Sequence, residues 1–177
     1  MIYEIKDTNK ISPLFGHWEE TLIWSCLQGI MGKIYANDLT APTAAMAVIG
    51  DFTFFAGEPC PELIAYRPPH CTQNFMIAVP QNKLWENMLT QFYGKKAKII
   101  SRYATKKEPP IFNKHHLEKI VASLPKQYTL SMIDSHFYKL CKSEAWSKDL
   151  VSQFSTYEKY RRLWILQRLF RDGGIFR

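Results

Sequence analysis

Cys60, His70 and Cys71 share one proline-rich loop, and a thiolate pair with an imidazole is the donor set that zinc prefers. Their spacing matches no zinc pattern and no fourth ligand lies nearby in sequence, so the loop reads as packed and no metal is expected. The remaining cysteines, Cys26 and Cys141, add no repeated spacing, which leaves neither a disulfide framework nor a zinc ribbon. A nucleophilic role for Cys60 or Cys141 would need a histidine that no spacing supplies. His115 and His116 are adjacent; on a helix neighbours point about 100° apart and cannot share a ligand. Gln28-Gly-Ile-Met-Gly-Lys33 holds the glycines and lysine of a phosphate cradle, but it follows a helix where a cradle would open one, and a helix C-cap explains it better. Glu19, Glu20, Asp38, Asp51 and Glu58 could hold an amine if they converged. Their positions in turns and at element ends give them capping roles first.

These residues must be positioned by a chain of 177 residues that is 46% apolar, enough for one domain or one compact domain with part of a second. No apolar run approaches the roughly 18 residues of a bilayer span, and the first residues lack the basic and apolar regions of a signal peptide. A soluble, cytoplasmic protein is expected. The net charge of +7 is uneven: residues 1–90 hold 5 Lys/Arg against 9 Asp/Glu, and residues 91–177 hold 18 against 7. The excess gathers at Lys95–Lys107 and beyond Arg161. Without interleaved stacking aromatics or a helical stripe, these charges read as solvated surface, and nucleic acid is not an expected partner.

Apolar spacing alternates helices with strands, an α/β fold with a mixed (α+β) sheet. Trp18, Leu22, Cys26 and Ile30 predict a helix through Gln28; Ile34-Tyr35, Ala44–Ile49 and Phe52–Phe55 predict an antiparallel meander. Phe75–Val79 reads as a strand buried on both faces, followed by a helix from Leu84 to Phe92 that Gly94 ends. The prolines between Gly57 and Asn74 predict an irregular surface loop. After the Pro109-Pro110 break, Asn113 caps a helix carrying Leu117, Ile120, Val121 and Leu124. A strand over Tyr128–Ile133 and a helix with Phe137, Leu140 and Cys141 complete the pattern. Lys98–Tyr103 reads as a further strand within the basic run. The boundary between two units falls at Ser123–Gln127, giving 1–124, 125–160 and a tail 161–177 of different character.

Four segments carry a family resemblance: Trp18–Gly29, Gly50–Pro59, Ser101–Pro109 and Trp146–Phe154. Together, over residues 1–160, the chain resembles the two-part bacterial GCN5-related N-acetyltransferases (GNAT), the group that includes zwittermicin-resistance-type proteins. The resemblance implies an N-terminal α/β domain followed by a GNAT domain that takes acetyl-CoA and acetylates a small-molecule or peptide amine. It implies that Tyr128–Ile133 is the GNAT domain's first strand, with Ser135–Lys142 and Ser147–Tyr160 its first two helices. Because those helices border the acceptor, Ser152, Gln153 and Phe154 become the candidate substrate contacts; Phe154 also fits a core stripe.

The family's acetyl-CoA turn, Gln/Arg-x-x-Gly-x-Gly/Ala at a helix start, does not occur in the 17 residues after Tyr160. The expectation is therefore a truncated, inactive form in which no catalytic or cofactor-binding residue can be assigned. Were Arg161–Gln167 encoded CGG CGG CTT TGG ATT TTG CAA, reading one base later would give Gly-Gly-Phe-Gly-Phe-Cys, which makes a frameshifted tail one expectation. Leu163, Trp164, Leu166 and Phe170 would otherwise cover open apolar surface or drive self-association. The competing reading is a self-sufficient α/β domain that binds a ligand or protein.

Overall fold

The computed structural model describes residues 1–103 and 112–163. Its centre is a five-stranded sheet in the order β1 (Tyr3–Ile5), β2 (Lys33–Ala36), β3 (Ala44–Ile49), β4 (Phe52–Gly57) and β5 (Ile77–Pro80). β1 to β4 run antiparallel to their neighbours, and β5 pairs parallel with β4. The mixed α/β class and the meander are as the sequence predicts. Tight turns join β3 to β4 through Gly50 in the left-handed region (φ 54°), whereas the parallel β4–β5 step requires a long crossover.

Side chains alternate across the sheet and split the core in two. Ile34, Ala45, Ala47, Ile49, Phe54 and Ala56 face α1 (Ser12–Phe15), α2 (Thr21–Leu27) and α6 (Ser135–Ser143). Tyr35, Met46, Val48 and Phe55 face α3 (Pro61–Ala65) and α4 (Lys83–Tyr93), where Trp85 is wholly buried and donates its indole N–H to the Gly57 carbonyl at 2.8 Å. The strand buried on both faces is β3, every residue of which is buried. β5 is instead the edge strand, half-buried throughout, with Phe75 exposed before it; an apolar run cannot say how many neighbours a strand will have.

The loop predicted from Gly57 to Asn74 contains α3. Pro61 stands at its first turn, where a missing N–H costs nothing, and Leu63 and Ile64 enter the core. Arg67 then pins the rest by donating to the carbonyls of Gln73 and Phe75. α4 starts where Asn82 accepts from the amides of Leu84 and Trp85, and ends at Gly94.

Two predicted strands are not strands. Residues 98–103 and 128–133 form neither helix nor strand and join no ladder among the described residues, and Ile99, Tyr103, Tyr128, Leu130 and Met132 are exposed. Their β-prone composition alone does not seat them on either outer strand of the sheet, β1 or β5. α5 (Lys114–Ala122) forms under its Asn113 cap, with its apolar residues half-exposed.

The second GNAT helix inferred for Ser147–Tyr160 is broken. A short 3₁₀ turn at Lys148–Leu150 gives way to turns, and a new helix runs from 157 to the last described residue, 163. Val151 and Phe154 are drawn into the core, and Thr156 restarts the helix by accepting from the Lys159 amide. Tyr138, Val151, Phe154 and Tyr160 share one cluster with Ile23, Cys26 and Ile34, and Leu163 packs against it. The Pro109-Pro110 break, Lys106, Lys107 and the tail beyond 163 lie outside the described residues.

Candidate functional site

The turn that breaks this helix is also what builds a cleft. Ser152, Gln153 and Ser155 project beside the α2–β2 loop, and with Gly29–Lys33, Val48, His70 and Lys159 they line an open hollow of about 270 Å³. The turn is held from beneath, because Tyr138 donates its hydroxyl proton to the Phe154 carbonyl at 2.8 Å. Ser152 donates to the Asp149 carbonyl at 3.1 Å, and the Gln153 amide lies over Gly50.

The facing wall is rigid for a different reason. Gly32 has φ 66°, and a side chain there would meet the Val48 carbonyl oxygen at 2.5 Å and the Cys26 sulfur at 2.6 Å. Cys26, 3% exposed, sits under this wall, and burial pushes its thiol up to about 12.

Lys33 and His70 form the third side. Lys33 Nζ is 2.8 Å from Glu4 Oε2 on the outer edge of the sheet. The His70 ring stacks on Tyr35, with Nδ1 3.4 Å from the phenol oxygen. Lost hydration, followed by the Lys33 ammonium, holds the imidazole below its ordinary value against the opposing pull of Glu4, so it is neutral at pH 7. Burial raises the Tyr35 phenol, aided by Glu4, and keeps it protonated as a hydrogen-bonding partner for the ring. Among the described residues, no acidic side chain lines the cleft.

Of the residues singled out by sequence, Ser152 and Gln153 reach the cleft. Phe154 does not; it is 6% exposed and stacks edge-on against Tyr160 at 5.3 Å in the core. Cys60 is turned to its neighbour Glu62, its thiol 3.1 Å from Oε2, and its pKa is raised by burial. His70 leaves the cysteines for Tyr35. Gly29–Lys33, read from sequence as a helix C-cap, also line the cleft, whereas Ser155 and Lys159 carried no local signal. A second hollow beside Arg67 and Cys71 holds about 20 Å³, room for about one water.

Residues 12–165 match the family model described as GNAT acetyltransferase. The chain belongs to the GNAT acetyltransferase family. Among solved structures it is similar to a GCN5-related N-acetyltransferase-like protein from Streptococcus suis 89/1591, at 37% identity and a TM-score of 0.68. The similarity covers 89% of this chain and 62% of that one, so the chain spans less than two thirds of that relative's length. No curated protein matches it.

Acetyl-CoA would need free backbone amides for its pyrophosphate, and the described residues do not fit it. The amides of Gly29, Ile30 and Met31 are spent on the carbonyls of Cys26 and Ser25 at the end of α2. The starts of α2, α4, α5 and α6 are closed by their own side chains: Glu20 on Leu22, Asn82 on Leu84 and Trp85, Asn113 on His116, and Asp134 on Phe137; α1 and α3 carry no side-chain cap but are a single turn each, with a proline that has no N–H to offer at the first or second position. Two of those caps are carboxylates, which repel a phosphate. No helix among the described residues is long and apolar enough to cross a membrane.

Proposed function

We propose that this chain is the acceptor-side part of an acetyl-CoA-dependent N-acetyltransferase that modifies a small-molecule or peptide amine, and that these residues alone do not turn acetyl-CoA over. One observation carries the reading: in a chain matched to the GNAT family over residues 12–165, Ser152 and Gln153 line the 270 Å³ cleft against Gly29–Lys33. Their polar groups, with those of Ser155, Lys159 and the neutral His70, would orient an acceptor. The capped helix starts support placing the acetyl-CoA cradle outside the described residues.

The reading divides the chain at Ser123–Gln127 into an α/β unit, 1–124, and a GNAT portion, 125–160, docked through Tyr138, Val151, Phe154 and Tyr160 onto the face of the sheet covered by α2. It also assigns the protein to the cytoplasm, in keeping with four cysteines left as free thiols.

β-Alanine, a compact amine, tests the assignment of the cleft. Titrated into the full chain and followed by backbone NMR, it should shift Gly29–Lys33 and Ser152–Ser155 saturably. Shifts confined to other surfaces would remove the acceptor role from this cleft.

A further inference from the structure

The cleft's charge goes further than its position. Among the described residues it is lined by two lysines, Lys33 and Lys159, with the hydroxyl of Ser155 and the amide of Gln153, and by no carboxylate. Lys33 is compensated from outside by Glu4 at 2.8 Å. Lys159 is half-buried and forms no ion pair among the described residues; its neighbour Glu158 turns away to Arg161, at 3.8 Å. An ammonium drawn partly out of water with no counter-charge is unfavourable alone and favourable once an anion arrives. Neither the Gln153 amide nor the Ser155 hydroxyl has a hydrogen-bond partner among the described residues, so both remain available to a ligand oxygen.

A bare alkylammonium finds no carboxylate among the described residues lining the cleft, and its charge would be repelled by both lysines. Resting on the acceptor reading above, we infer that the cleft takes a compact ligand carrying an anionic oxygen group, a carboxylate or a phosphate, held by Lys159 with Gln153 and Ser155, and that the acceptor is an amine bearing such a group. The cleft's 270 Å³ falls just below the volumes of drug-sized pockets, which suits a portion of ligand on the scale of an amino acid and well below that of a coenzyme. Lys33 contributes long-range attraction, its closest partner being Glu4. Lost hydration first, and then the Lys33 ammonium, disfavours protonation of His70, so the imidazole adds hydrogen-bonding capacity without adding charge.

Matched probes separate the possibilities in one set of NMR titrations on the full chain: propionate, inorganic phosphate, propylamine and β-alanine. Propionate and β-alanine should shift Ser152, Gln153, Ser155 and Lys159 saturably while propylamine does not. Lys159→Gln should weaken propionate by about tenfold, the equivalent of one charge-assisted hydrogen bond. Lys33→Gln, an exposed change that cannot disturb the core, should weaken it less. Phosphate binding more tightly than propionate would support the anion site with a phosphorylated ligand; the reverse order would support a carboxylate. If propylamine shifts the cleft as strongly as β-alanine while propionate does not, the anionic group is wrong and the acceptor cleft stands. If none of the four shifts it, both fall.

Discussion

The Tyr138 hydroxyl donates to the Phe154 carbonyl at 2.8 Å, both residues at most 6% exposed, and this bond fastens α6 to the turn that presents Ser152 and Gln153. Phe154 therefore shapes the cleft from behind it. Tyr138→Phe keeps the ring packing with Tyr157 and Tyr160 but strands a buried carbonyl. It should cost about 1–3 kcal/mol in urea unfolding and broaden the amide signals of residues 151–155. An unchanged midpoint would show that the bond contributes nothing to holding the turn.

The opposite wall predicts a contrast between two glycines. Gly32→Ala has both a left-handed φ and a backbone oxygen in its way, whereas Gly29→Ala, also at positive φ (63°), meets open space. The first should destabilise by several times the roughly 1 kcal/mol expected of the second. Equal losses would mean that the close approach of Gly32 to Val48 does not exist in solution.

Thiol chemistry should report on the same wall. Cys26 is buried while Cys60, Cys71 and Cys141 are half-buried, so iodoacetamide should label three thiols in the native protein and four in urea. Folding raises the Cys26 thiol from 9.0 to about 12, so the unfolded chain gives up this proton first as pH rises. The stability this group contributes is intact below pH 9 and is lost between pH 9 and about 12. Cys26→Ala should flatten that part of the stability profile. A steeper decline in the variant would contradict the assignment.

Proteolysis tests how the two portions are joined. Residues 112–132 are exposed throughout, whereas Tyr138, Val151, Phe154 and Tyr160 are packed into the cluster containing Ile23 and Cys26. Brief digestion should nick the chain within 112–132 and leave fragments that co-elute until denatured. Fragments that separate at once would show that the shared core is too weak to join the portions.

Much of the fold was legible because local signals sufficed. The Ala44–Ile49 run bounded by turns became β3, and Asn82 with Gly94 bounded α4. β1 was missed because Tyr-Glu-Ile is too short to show alternation, and α3 because the prolines around it mask a first-turn Pro61. The failures at 98–103 and 128–133 share another cause: strand-forming residues make a strand only where a sheet edge receives them, and which edge receives which segment is a property of the whole topology. The cleft divides likewise. Ser152 and Gln153 came from a family resemblance, whereas Lys33, His70 and Lys159 lie in three separate segments that only the folded sheet brings together.

The acceptor side of a GNAT acetyltransferase without its acetyl-CoA cradle, as proposed for these residues, should leave the coenzyme unbound, which isothermal titration of the full chain with acetyl-CoA measures. No saturable binding should appear at concentrations up to about 1 mM, since α2, α4, α5 and α6 each start under a side-chain cap. Binding at about micromolar affinity would contradict the claim and place a working coenzyme site within this chain.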